Sequence, residues 1–245
     1  MILMRILPGI LKELSKHVPT VLFQTVEWSE LASELPKITR RMLHKDGYTE
    51  LFMQQKEYLT PLEINFVHSP FVENSMDGHK LLDLFFAQLF SPHGLFLDIR
   101  SHHFNNEGGE FSWHPSNFWT RFDETFRLAL LDVYEGFYLE MEDKYLSGLE
   151  RIGLIKMDWP EKDKQELAQL FRSQFGNNEM LFDLEELQQG MIKMSHFMLS
   201  KKVHISKDFL YLGIYLVTLY SSLEKTKELY NVKDIYLEAK NLFSA

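Results

Sequence analysis

Apolar residues recur at near-helical spacing through the first third of the chain, alternate with polar ones in the middle, and return to helical spacing to the end. From Trp28 to His44 the positions Leu31, Leu35, Ile38, Met42 and Leu43 predict one helix, which Asp46-Gly47 breaks. Shorter helices are predicted from Leu7 to His17, before Pro19, and from Tyr48 to Leu59, before Pro61. Leu62 to His68 alternates, predicting a strand that Ser69-Pro70 ends. A turn at Met76-Asp77-Gly78 leads into His79 to Phe90, whose nearly continuous apolar character predicts a helix buried on most sides. Leu95 to Trp119 alternates about a turn at Asn105-Asn106-Glu107-Gly108-Gly109, as β-hairpins do. Phe118 to Phe122 and Phe126 to Leu131 flank a second turn at Asp123-Glu124. From Val133 the pattern is helical, with breaks at Gly153, Asp158-Trp159-Pro160, Gly176-Asn177-Asn178, Lys201 to Ser206 and Asn231.

The expected fold is therefore mostly α (α+β). We expect a single domain with helices over 1–60, a small β region carrying the polar motifs over 61–132, and a helical part over 133–245. The 245 residues, 45% hydrophobic and 14% aromatic with 20 phenylalanines, are ample for a real core. A formal charge of -9, with no basic segment interleaved with aromatics, argues against nucleic-acid binding. The absence of cysteine excludes disulfides, zinc–thiolate sites, iron–sulfur clusters and thiol catalysis. Met1 to Ile10 carries Arg5 and Pro8 and does not read as a secretory signal. The longest apolar run, Phe209 to Leu219, is about half a bilayer span. A soluble, cytoplasmic protein without a transmembrane segment is the expectation.

The candidate chemistry lies in His114-Pro115-Ser116-Asn117 and, fifteen residues after Asn117, Asp132 at the end of Arg127-Leu128-Ala129-Leu130-Leu131. An Asn and an Asp at the two ends of a short β-hairpin would share one Mg²⁺ on a nucleotide's phosphates, as in protein-kinase-like enzymes. The run resembles the C-terminal helical lobe of the AarF/UbiB family of atypical kinases, with a small β-hairpin element. Glu73-Asn74-Ser75-Met76-Asp77-Gly78, Gln88-Leu89-Phe90 with His93-Gly94-Leu95-Phe96, Trp113-His114-Pro115-Ser116-Asn117-Phe118 and Leu130-Leu131-Asp132 follow the family's order. Ile38 to Gln55 upstream and Val203-His204-Ile205-Ser206 downstream extend the likeness over nearly the whole chain. The resemblance implies Mg²⁺ with ATP or ADP held by His114, Asn117 and Asp132, with Asn117 and Asp132 as the metal ligands. It also implies a link to isoprenoid-quinone or lipid metabolism.

The departures weigh against an active kinase. Ser112 stands where the catalytic Asp would precede Asn117, leaving Asp98, before an insertion of about a dozen residues, as the weaker candidate base. Val133-Tyr134 replaces the Phe-Gly after the metal Asp, and the upstream phosphate loop and its Lys are missing. The functional expectation is a degenerate kinase, or pseudokinase, that binds or scaffolds a protein partner and retains at most weak Mg-nucleotide binding. The alternatives are half of a split kinase completed by a partner chain that supplies the nucleotide-binding lobe, or an unrelated helical interaction domain. In plain structural terms Asn117 would cap a turn, Asp132 would cap the following helix, and Asp98 would pair with Arg100 at the surface. His93, His102, His103 and His114 lie close together in sequence. Adjacent residues on a strand face opposite sides, however, which argues against His102 and His103 sharing an ion.

Overall fold

A computed structural model describes residues 18–44, 46–71, 75–173 and 179–243. The helix expected from Leu7 to His17, the break at Gly176-Asn177-Asn178 and Glu73-Asn74 lie outside these residues. In chain order the elements begin with α1 (Leu22–Thr25), α2 (Trp28–Leu43), α3 (Thr49–Gln54), α4 (Lys56–Leu59), β1 (Asn65–Phe66) and α5 (Gly78–Phe90). There follow β2 (Leu95–Phe96), β3 (Phe104–Glu107), β4 (Glu110–Trp113), β5 (Trp119–Thr120), α6 (Glu124–Tyr138), α7 (Glu142–Arg151) and α8 (Glu161–Arg172). The chain ends with β6 (Met180–Leu181), α9 (Leu184–Ser200), α10 (Lys207–Leu223), β7 (Leu229–Tyr230) and α11 (Val232–Phe243). The fold is mostly helical with small sheets, and no helix among the described residues is long and apolar enough to cross a membrane.

The chain divides into two compact units, each assembled from three separate stretches. The first takes Met1–Glu34, Phe122–Gly176 and Leu184–Ile214. Its centre is the antiparallel pair α6–α7, joined by a turn in which Met141 N–H donates to the Gly136 carbonyl at 2.8 Å and Glu140 takes a positive φ of 58°. Two glycines let these helices approach backbone to backbone. A Cβ on Gly148 would lie 2.6 Å from Val133 Cγ2, and one on Gly136 would lie 2.7 Å from Tyr145 Cα. Tyr145 is fully buried beneath Arg172 and donates its hydroxyl to the Ala168 carbonyl at 2.9 Å, tying α7 to α8. A parallel bridge between Val26 and Ile205 fixes the start of α2 against the approach to α10.

The second unit takes Leu35–Arg121, Asn177–Asp183 and Tyr215–Ala245. Its axis is α5, buried along nearly its whole length as its composition predicts, and capped by Asp77, whose side chain accepts from Lys80 N–H. The one buried polar side chain along this helix, Gln88, is satisfied at both ends. Its amide nitrogen donates to Tyr215 Oη at 3.0 Å, and its oxygen accepts from Phe96 N–H at 2.6 Å. The C-terminal half of α10 supports the stretch after β2. Thr218 Oγ1 donates to the Leu97 carbonyl at 2.9 Å, and Ser222 Oγ donates to that of Ile99 at 3.3 Å. β2 pairs antiparallel with β5, and β6 with β7. A three-stranded sheet has the order β1-β4-β3, with β1 parallel to β4 and β3 antiparallel to it. The β3–β4 hairpin turns at Gly108 and Gly109, whose φ angles of 62° and 87° suit glycine, as its sequence predicts.

Two expectations change. The strand expected over Leu62 to His68 shrinks to Asn65–Phe66, because Thr60–Leu62 winds as a 3-10 turn and Glu63 takes a left-handed φ of 54°. The second hairpin is replaced by a helix: Phe126 to Leu131 lies inside α6, and Asp123 is its cap, accepting from Thr125 N–H at 2.9 Å and Phe126 N–H at 3.4 Å. A short apolar run suits a strand or a buried helix equally well, and an Asp followed by Glu-Thr marks a helix start as readily as a turn.

Candidate functional site

The parallel register of β1 and β4 sets Phe66 beside Trp113, with Val67 N–H donating to the Trp113 carbonyl at 3.0 Å. Both strands run the same way, so the segments that leave their C-terminal ends emerge side by side. Each is turned by a proline: His68-Ser69-Pro70 after β1 and His114-Pro115-Ser116-Asn117 after β4. Together with Asp46 and Tyr48 they line a cleft of about 600 Å³ within the second unit. Ligand sites commonly form at the carboxyl ends of parallel strands, where loops project away from the sheet. The loop before α3 is held against this edge by Trp119. The indole N–H of Trp119 donates to the Gly47 carbonyl at 2.7 Å, and Arg41 lies over its ring at 3.9 Å while donating to its carbonyl at 2.9 Å.

The polar groups in the cleft have defined roles. His114 Nδ1 stands 3.1 Å from the Val67 carbonyl, which can only accept, so Nδ1 is the donor of that bond. Tyr48 Oη lies 3.0 Å from His68 Nδ1, and burial followed by the charge of Asp46 pushes the phenol above its ordinary value, so it stays protonated. Asn117 turns its amide nitrogen to the His44 carbonyl at 2.7 Å, which leaves its buried Oδ1 without a hydrogen-bond partner. Among the described residues the lining thus offers imidazole, phenol, hydroxyl and amide groups and one carboxylate, with no lysine or arginine.

His114 and Asn117 are thereby brought into one cleft, as the motif that holds them suggests. Asp98 lies elsewhere in the same unit. It is fully buried, not at the surface, with Arg100 Nε 2.7 Å from Oδ1 and an Arg100 terminal nitrogen 2.8 Å from Oδ2. Burial alone would raise the Asp98 carboxyl, but the Arg100 fork and the His103 ring beside it overcome that and hold it well below the usual carboxylate range. The His103 ring lies 6.4 Å from that of His114, which connects this buried group to the wall of the cleft.

Asp132 belongs to the first unit and occupies the middle of α6, not the end of a hairpin strand or a helix cap. One of its oxygens pairs with Lys144 at 3.2 Å and the other with Arg151. The chemistry of the two implied Mg²⁺ ligands differs accordingly. The amide oxygen of Asn117 is a hard donor of the kind such an ion takes, whereas at the Asp132 carboxylate an ion would meet the two full positive charges of Lys144 and Arg151. Asp132 therefore does not fit the role. Sequence reasoning missed Tyr48 and His68, which join the site only through the parallel β1–β4 pairing; the shared signal was a His followed within two residues by Pro after each strand. No protein-family model matches this chain, and no curated protein sequence matches it.

Proposed function

We propose that the chain is a binding protein and not a phosphotransferase, and that its cleft takes a small neutral molecule bearing hydroxyl or amide groups, of nucleoside or monosaccharide size. The observation that carries this is the chemistry of the lining. The Tyr48 phenol, the imidazoles of His68 and His114, the serine hydroxyls and the Asn117 amide match a ligand that both donates and accepts. The presence of Asp46 in the lining, and the absence of lysine or arginine from it among the described residues, disfavour a polyphosphate, whose charge needs cations or helix N-termini. The volume lies in the range of small-molecule sites. The kinase resemblance contributes the segment from Trp113 to Phe118, of which His114 to Asn117 line the cleft. It lends no support to catalysis, because Asp98 and Asp132 are each already held by cations.

The test is the thermal midpoint of the purified chain with millimolar adenosine, glucose, myo-inositol, ATP and Mg-ATP, with Mg²⁺ alone as control. Binding to the folded state must raise the midpoint by mass action. A neutral compound should raise it, ATP should raise it less, and Asn117→Ala should cancel the rise while leaving the unliganded midpoint within a few degrees. A rise with Mg-ATP alone that Asp132→Ala abolishes would restore the kinase-site reading. No rise with any compound would reject the cleft as a binding site.

A further inference from the structure

We propose that Asp98, His102 and His103 form a site for a divalent cation of the zinc type, independent of the cleft ligand. One ligand atom from each of the three residues lies within 4.8 Å of the others. The local backbone explains the convergence. Ser101–His103 is a 3-10 turn and not a strand, closed by His103 N–H donating to the Arg100 carbonyl at 2.9 Å. Consecutive side chains on such a turn are about 120° apart, not opposed, and the two imidazole rings lie side by side with centroids 4.1 Å apart. The strand argument against a shared ion therefore does not apply. The turn is anchored at both ends: Lys225 donates to Ser101 Oγ at 2.8 Å, and His114 N–H donates to the His103 carbonyl at 2.9 Å.

The geometry within the cluster is that of two ligands on one ion. His103 Nε2 stands 3.2 Å from Asp98 Oδ2, the spacing of two donor atoms on one ion. Two donors on a tetrahedral zinc, each about 2.0–2.1 Å from the metal, are separated by roughly 3.3 Å. An ion off the line between the two atoms would satisfy both. Asp98 is prepared for the part: it is ionised and fixed in orientation by the Arg100 fork, as carboxylate ligands are by hydrogen bonds from behind. Its remaining lone pairs are available, since a carboxylate has about four acceptor positions. His102 is exposed, which leaves the fourth coordination position open to water. Two imidazole nitrogens and one carboxylate oxygen favour zinc, cobalt, nickel or copper over Mg²⁺ or Ca²⁺. The guanidinium on the same carboxylate weakens its pull, so binding should be looser than in a closed structural site.

The experiment is isothermal calorimetry of chelator-stripped protein with ZnCl₂, paired with visible absorption on titration with CoCl₂. One equivalent should bind, the cobalt form should show the intense d–d bands of a tetrahedral complex, and excess Mg²⁺ should not compete. His102→Ala and His103→Ala should each weaken binding at least about tenfold. His196→Ala, which removes an exposed histidine on α9, should leave it unchanged. Because His102 is exposed, its variant should keep the metal-free melting point, so lost binding reports on ligation and not on folding. No saturable binding would overturn the assignment, as would one-to-one binding that ignores both substitutions, or equal weakening by His196→Ala.

Discussion

Replacing Asp98 with Asn should expose how much of the second unit depends on one buried ion pair. The wild-type carboxylate is fully buried and meets Arg100 in a two-point fork of 2.7 and 2.8 Å, with the Arg100 side chain itself 13% exposed. Asn keeps the shape but offers one acceptor oxygen and turns an amide N–H₂ toward the guanidinium. Removing one partner of a buried pair costs about 3–5 kcal/mol, most of it from stranding the other charge. For a chain of this size each kcal/mol moves the melting point by roughly 2–4 °C, so the variant should melt about 10 °C lower at neutral pH. The pH dependence follows from the direction of the shift. The folded carboxyl is held below its unfolded value, so its contribution is complete above the ordinary carboxylate range and is lost as the pH falls through and below about 4. Wild type and Asp98→Asn should therefore converge as the pH is lowered, and the gap should be widest near neutrality. Urea unfolding from neutral pH down to about pH 3, with a chelator present to remove any bound metal, measures it. A neutral-pH gap under about 1 kcal/mol, the scale of an exposed pair, would refute the reasoning, as would a gap that stays constant into acid.

Gly148→Ala tests the close approach of α6 and α7. At an open helical site the change would stabilise by about 1 kcal/mol, but here the new methyl would meet Val133 N at 2.9 Å and the Ala129 carbonyl at 3.0 Å, backbone atoms that no rotamer change can move. A net loss of about 2 kcal/mol in urea is expected, and an unchanged or raised midpoint would contradict the packing. Asp123→Ala should remove the α6 cap at a cost of about 1 kcal/mol, while Asp123→Asn should retain most of the stability by denaturant unfolding; equal losses would deny the capping role.

Elements whose signals are local were legible in the sequence. The buried α5, the Gly108-Gly109 hairpin turn and the breaks at Gly153 and Asp158-Trp159-Pro160 all follow from residues within a few positions of each other. The cleft was only half legible, because its walls are joined by a parallel strand pair. Two adjacent parallel strands need a long crossover, here α5 and the β2–β3 segment, and no local pattern announces which strands it will bring together. His68 and Tyr48 therefore had no visible connection to His114 and Asn117.

Asp132 shows the opposite failure, in which the signal was present and spacing to a motif outweighed it. Phe126, Ala129, Leu130, Val133 and Tyr134 recur at the three- and four-residue intervals of a helix, and all five are buried on one face of α6. A metal-binding Asp at a strand end would need alternation through the same residues, with Leu131 and Ala129 facing opposite to Leu130. Instead Ala129 and Leu130 are buried together, whereas Leu128 is exposed and Asp132 is half-buried beside Lys144 and Arg151. The period of burial thus separates the two readings of Leu130-Leu131-Asp132 where the motif alone cannot. An ionised side chain on the polar edge of a helix, already meeting two cations from the neighbouring α7, serves to hold that helix in place. The buried Asn117 oxygen and the cluster of Asp98, His102 and His103 lie in the second unit, and there ligand chemistry should be sought.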